Sequence, residues 1–223
     1  MIVGKFEIEL DKLSKQVKEM GVSVLKMLKG AGEALLALDD AKATEVIKSD
    51  KTVNDLENVI VNRAITLIAT NQPVAKDLRF LASSLRLAIE LERIGDLGSN
   101  LARRAQDIIL LEKDGEPTEP LPADIPLMVK KALSMLEMAL YSLEHGDTAT
   151  AEEVFQIDDV LDDLNKTIRA EALSVIKKDG HKAAWGYEVI TIASHLERLA
   201  DHATNLAEET VYMAKGLNIR HNY

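Results

Sequence analysis

Residues 90–104 read "ELERIGDLGSNLARR" and residues 195–209 read "HLERLADHATNLAEE". Glu92, Asp96 and Asn100 of the first stretch return as Glu197, Asp201 and Asn205 at a constant offset (197 − 92 = 105). A spacing of four puts such residues on one face of a helix. Each stretch is therefore read as a helix with a polar stripe, and its recurrence marks an internal duplication.

The flanking sequence extends the duplication. "VIKSDKTVNDL" from Val46 lies over "VFQIDDVLDDL" from Val154 (154 − 46 = 108), which equates Asp50 with Asp158 and Asn54 with Asp162. Loops of different length account for the change of offset. Apolar residues recur every three or four positions through six segments. The first carries Leu10, Leu13, Val17, Met20, Val24, Met27 and Leu28; the second runs through Val46, Val53, Leu56, Ile60 and Leu67. Leu78, Leu81, Leu85, Ile89, Ile94 and Leu97 mark the third, Leu127, Leu133 and Leu136 the fourth, and Val154, Leu161, Ile168 and Leu173 the fifth. The sixth spans about Trp185 to Lys215.

Punctuation agrees with this. Asp39 or Asp40 suits the N-cap of the second helix, Pro73 the first turn of the third, and Asp147 or Thr148 the cap of the fifth; Gly146 and Gly216 are C-terminal stops. In "KDGEPTEPLPADIP", Gly115, Pro117, Pro120 and Pro122 cannot share a helix interior. The fold expected is all-α: two tandem antiparallel three-helix bundles related by duplication, residues 1–114 and 124–223, joined by a linker at 115–123.

Composition narrows the function. A net charge of −10 disfavours nucleic acid as a partner. Without cysteine there are no disulfides and no thiolate metal sites, which fits a reducing cytoplasm. The opening "MIVGKFEIELDKL" lacks the apolar core of a signal peptide, and no apolar run approaches the roughly 18 residues of a membrane span. A soluble protein without membrane insertion is expected. The sequence contains no phosphate-binding Gly-rich loop, no His-Glu-x-x-His and no nucleophile elbow, so no catalytic step is assigned.

If the neighbouring helices face each other, Glu92 and Asp96 meet Asp50 and Asn54 in one half, and Glu197 and Asp201 meet Asp158 and Asp162 in the other. Like charges at i, i+4 cost an isolated helix roughly 0.2–0.5 kcal/mol per pair. Written twice, that arrangement invites a cationic partner, either a bound metal ion or an arginine or lysine across the helix interface. Oxygen donors suit Mg²⁺, Mn²⁺, Ca²⁺ or iron, and His195 and His202 would add nitrogen ligands for zinc or iron. Arg93 and Arg198 stand beside the glutamates but point about 100° away. A solvated charged face remains the alternative reading of each stripe taken singly. His145, His181 and His221 are explained by helix ends and the tail.

"ELERIGDLGSN", "HLERLADHATNLAEETVYMAKG" and "NQPVAKDLRFL" together resemble the PhoU family of phosphate-uptake regulators, over essentially the whole chain. The resemblance implies a cytoplasmic, non-catalytic protein that commonly forms a homodimer. Its partners would be the ATPase subunit of a phosphate ABC transporter and, in many bacteria, a phosphate-sensing histidine kinase. It would restrain uptake and repress the starvation response when phosphate is plentiful. Some members carry multinuclear iron or zinc clusters, and the matching metal positions here are Glu92, Asp96, Glu197, Asp201, Asp50, Asn54, Asp158 and Asp162. Gly95 and Gly98 depart from the sixth helix's Ala200 and Ala203 and are expected to loosen the third. Asn165 stands where the first half has Glu57, so the two faces need not bind alike. Two other readings are an accessory protein of a different phosphate permease and a carboxylate-bridged metalloenzyme.

Overall fold

A computed structural model of the chain describes residues 2–216; His221 and the rest of the tail lie outside them. Six helices follow one another: α1 (Ile2–Ala37), α2 (Asp40–Asn71), α3 (Ala75–Lys113), α4 (Ile125–His145), α5 (Thr148–Lys178) and α6 (Ala183–Lys215). A single 3₁₀ turn, Gly180–Lys182, leads into α6, and no strand occurs among the described residues.

The helices start and stop where local chemistry says they should. Asp39 caps α2 by accepting from the Lys42 amide at 3.0 Å. Asp147 caps α5, taking the amides of Ala149 and Thr150. Gly146 and Gly216 close α4 and α6 at φ 63° and 68°, a conformation glycine adopts without strain. Pro73 is not in the first turn of α3 as expected. It precedes the N-cap, Val74, and the bend is made by Gln72 at φ 45°. Residues 114–124 contain no helix. They are tied down by Leu121, packed on the core, and by a Lys182–Glu119 ion pair.

In each half the three helices pack on one another. The duplication shows in the core. Leu91, Ile94 and Leu101 are buried, and so are their counterparts Leu196, Leu199 and Leu206; Val46, Val53 and Ile60 likewise match Val154, Leu161 and Ile168. Four positions in the apolar stripes turn outward instead: Leu78, Ile89, Leu127 and Leu173 are 40–46% exposed.

The halves share one continuous core, because α3 packs on α6 and α1 on α4. Glycines allow the second contact. A Cβ at Gly21 would come within 2.7 Å of Leu140, and one at Gly32 within 2.8 Å of Val129. Gly95 works in the same way within the first half. A Cβ there would meet Val53 at 3.0 Å, so this glycine draws α2 against α3 rather than loosening the helix.

The caps make a direct stability test. Asp39→Ala should cost about 1 kcal/mol in urea unfolding, with Asp39→Asn retaining most of the stability. An alanine variant as stable as the parent would remove Asp39 from the capping role.

Candidate cation-binding faces and the seam between the halves

The four helices that carry the predicted ligands do face each other in pairs. On α2, Asp50 and Asn54 lie at i and i+4 and are joined by Asn54 Nδ2 donating to Asp50 Oδ2 at 3.3 Å. Burial raises the Asp50 carboxyl above the usual range, and the Asp96 charge on α3 raises it further, opposed by the Asn54 hydrogen bond and Arg103. Glu92 is also raised, by burial and then by Asp96, Glu57 and Asp50. So Asp50, Glu57, Glu92 and Asp96 form one electrostatic group across the α2–α3 contact.

The α5–α6 face repeats this with more charge. Burial, then Asp201, Asp162, Asp159 and Glu197, push the Asp158 carboxyl up to about 6. Glu197 is raised by burial, Asp201 and Asp162, with Arg198 and Arg169 opposing. Asp201 is raised by burial and, in part, by Asp162. Burial and four neighbouring carboxylates all raise Asp158, whereas Arg103 tempers Asp50. Arg93 and Arg198 offset the glutamates electrostatically without an ion pair to either.

Two observations decide how well a metal ion would fit. Asp50 Oδ1, Asn54 Oδ1 and Asn165 Oδ1 are buried oxygens without a hydrogen-bond partner, which is the condition of a ligand awaiting a cation. Yet among the described residues no three acid or histidine side chains converge tightly enough to hold one ion. The carboxylates stand apart, as mutually repelling anions do, and an ion would have to gather them.

The histidines do not help it. His202 is turned to the other side of α6, its Nδ1 2.7 Å from Glu90 Oε2 on α3, and Asn205 Nδ2 donates to the same oxygen at 3.1 Å. Asn205 therefore leaves the acidic stripe in which its spacing placed it. Burial alone would raise Glu90, but these two hydrogen bonds hold it below the usual carboxylate range. His195, with a buried Nδ1 that has no partner, is held below the ordinary imidazole value by burial and then by Arg104 and Arg198.

Glu90 belongs to a polar seam along the antiparallel α3–α6 contact. Arg86 pairs with Glu209 at 3.0 Å at one end, and Arg104 pairs with Glu188 at 2.9 Å at the other. Glu209 is 1% exposed and Glu188 8%, so both charges are compensated inside the interface. Sequence reading did not find the seam. The available signal was Glu90 itself: two residues before Glu92, it lies 200° round the helix and must face a different neighbour.

The PhoU domain family model matches this chain twice, over residues 17–105 and 125–210. The chain belongs to the PhoU family. The two PhoU matches coincide with the two halves of the duplication. A Burkholderia protein named as a phosphate-specific transport system accessory protein PhoU homolog is 31% identical, covering 98% of this chain and 92% of its own length. A Rhizobium meliloti protein of the same description is 33% identical, over 96% and 89%. The crystal structure of PhoU from Pseudomonas aeruginosa superposes with a TM-score of 0.89 at 31% identity, covering 95% of this chain and all of that one. The PhoU structure from Streptococcus pneumoniae, described as a phosphate transport system regulatory protein, gives 0.85 at 27%. No helix among the described residues is long and apolar enough to cross a membrane.

Proposed function

We propose that this PhoU-family chain is an accessory protein of a phosphate transport system. It acts in the cytoplasm, as a homodimer and without a catalytic step, by contact with the transporter's ATP-hydrolysing subunit. Where a phosphate-sensing histidine kinase is present, it meets that as well. Its effect is to restrain uptake and the starvation response when phosphate is plentiful. The observation that carries this reading is the likeness to named accessory proteins over nearly the full length of both partners.

The acidic faces are the second part of the proposal. They attract cations because four mutually repelling carboxylates per face relax when a divalent ion neutralises them. As arranged, the donors are oxygen only, which suits Mn²⁺, Mg²⁺, Ca²⁺ or iron; His202, a nitrogen ligand zinc would want, is turned away to Glu90. An iron cluster would be held by Glu92, Asp96, Asp50 and Asn54 in one half and by Glu197, Asp201, Asp158 and Asp162 in the other; zinc would have to do without histidine.

Pulldown of the cognate transporter ATPase from lysates grown at high and at low phosphate tests the first part. The expected result is capture that changes with phosphate. An empty pulldown in both conditions sinks it. Elemental analysis of protein purified without chelator tests the second, with at least one ion per chain expected and loss of metal in Glu92→Gln/Glu197→Gln.

A further inference from the structure

The expected ligands leave the two acidic faces unequal. Asp50, Glu92 and Asp96 with Asn54 give the first face three carboxylates and one amide, whereas Asp158, Asp162, Glu197 and Asp201 give the second four carboxylates. The next turn of each outer helix changes that. Glu57 follows Asp50 by seven residues and Asn165 follows Asp158 by seven, at the offset that relates the rest of α2 to α5 (165 − 57 = 108). Seven residues fall within about 20° of two full helical turns, so both stand in line with the aspartates.

Both also stand against the facing helix. The Glu57 charge helps to raise the Glu92 carboxyl on α3. Across α5 and α6, Asp201 is the foremost charge acting on Asp158, and Arg169 Nη1 donates to Ser194 Oγ at 2.7 Å. Asn165 lies between Asp158 and Arg169, and Glu197 between Ser194 and Asp201, so the antiparallel helices bring Asn165 level with Glu197. The Asn165 Oδ1 is buried without a hydrogen-bond partner. Asn54 donates its amide to Asp50 at 3.3 Å, but among the described residues Asn165 donates to none of the carboxylates around it. An asparagine kept for structure would use that amide. A buried, unpartnered carbonyl oxygen beside carboxylates is the donor that a hard cation takes from asparagine.

We propose that residues 57 and 165 supply a fifth ligand to each face, the Glu57 carboxylate in the first and Asn165 Oδ1 in the second. Such ligation rests on the cation-binding reading above and changes its donor count. Each face then offers four carboxylates and one amide, with acid and amide exchanged between two positions of the outer helix: Asn54 and Glu57 in α2, Asp162 and Asn165 in α5. Faces matched in this way take the same class of ion, a hard divalent cation such as Mn²⁺, Mg²⁺ or Ca²⁺.

Mn²⁺ binding by the full chain, read from the loss of the free ion's electron paramagnetic resonance signal, tests this. Glu92→Gln/Asp96→Asn first disables the α2–α3 face, so that the α5–α6 face is read alone. In that background Asn165→Leu should weaken Mn²⁺ binding about tenfold, the lower end of what even outer partners of a metal site contribute. Leucine keeps the volume and changes no charge, so the loss comes from the missing oxygen and not from the field. The thermal midpoint without metal should stay level or rise, because an unpartnered buried oxygen has gone. Asn165→Ala guards against a packing effect of leucine and should show the same loss. Asp163→Asn, which deletes a full charge on the exposed side of α5, should alter binding less than about twofold. Unchanged affinity in both Asn165 variants, or an equal loss in Asp163→Asn, overturns the fifth ligand and leaves the cation reading standing. Uptake by the unsubstituted chain but none by the Glu92→Gln/Asp96→Asn background removes the α5–α6 face as a site, and Asn165 with it. No uptake by the unsubstituted chain overturns the cation reading itself.

Discussion

Arg104→Ala should destabilise the protein by about 3 kcal/mol. Arg104 holds Glu188 at 2.9 Å in the α3–α6 contact, and Glu188 is 8% exposed. Burial already raises the Glu188 carboxyl, and Arg104 is the cation that opposes it. Without that cation the carboxylate is left in a poorly hydrated site with Asp107 nearby, and the fold must bear the charge or take up a proton. The sign with pH follows. In the variant the folded carboxyl titrates further above the unfolded one, so stability falls as pH rises through and beyond the usual glutamate value. The deficit should therefore be largest at pH 7 and shrink at pH 4. Urea unfolding at both values measures it. Arg104→Met/Glu188→Met should recover most of the loss, because two apolar side chains need no compensation. A single variant within about 1 kcal/mol of the parent, or a double variant no better than the single, would show that the seam does not hold the halves together.

The seam also explains why α3 and α6 can carry acidic faces at all. Each helix is polar on two sides, toward its own bundle's outer helix and toward the other half. On the inner side every carboxylate has a basic or amide partner, as Glu90 has His202 and Asn205. On the outer side the carboxylates have mainly one another. The same residue type is structural on one side of a helix and available on the other.

What the sequence disclosed follows the same division. Duplication and period 3.6 sufficed for the bundles, for the buried Val46/Val154, Val53/Leu161 and Ile60/Ile168 pairs, and for the Asp39 and Asp147 caps. Those depend on neighbours within a few turns. Ile89 was misplaced because it lies 200° round the helix from buried Leu91, and Leu127 because one step from buried Met128 is 100°. The seam was hidden for a different reason. Its pairs join residues 84 to 123 apart, and the register of α3 on α6 is set by the whole bundle rather than by any local pattern. Duplication even misleads here, since the offset of 105 lays Arg104 over Glu209 and Glu90 over His195. Equivalent positions carry complementary rather than equal side chains, as two surfaces that pack on each other require.

Asp158→Asn should make the protein more stable at pH 7.5, by about 1–2 kcal/mol. The Asp158 carboxyl is pushed up to about 6, from an unperturbed value of 3.8, by burial and by Asp201, Asp162, Asp159 and Glu197. A shift of that size corresponds to about 3 kcal/mol if none of it were screened, and partial exposure reduces it. Because the folded value is raised, the native state keeps a proton that the unfolded chain has lost between about pH 4 and 6. Stability therefore falls as pH rises through that window, and the full penalty applies above it. Asparagine keeps the shape and removes the charge. The gain should be complete at pH 7.5 and vanish near pH 3.5, where both states of the parent hold the proton. A divalent cation on the α5–α6 face would relieve the same repulsion, so Mn²⁺ should raise the thermal midpoint of the parent more than that of Asp158→Asn. Equal midpoints for parent and variant at pH 7.5 without metal would mean that the second acidic face is not under the strain its charges imply, and the case for a cation there would lose its physical basis.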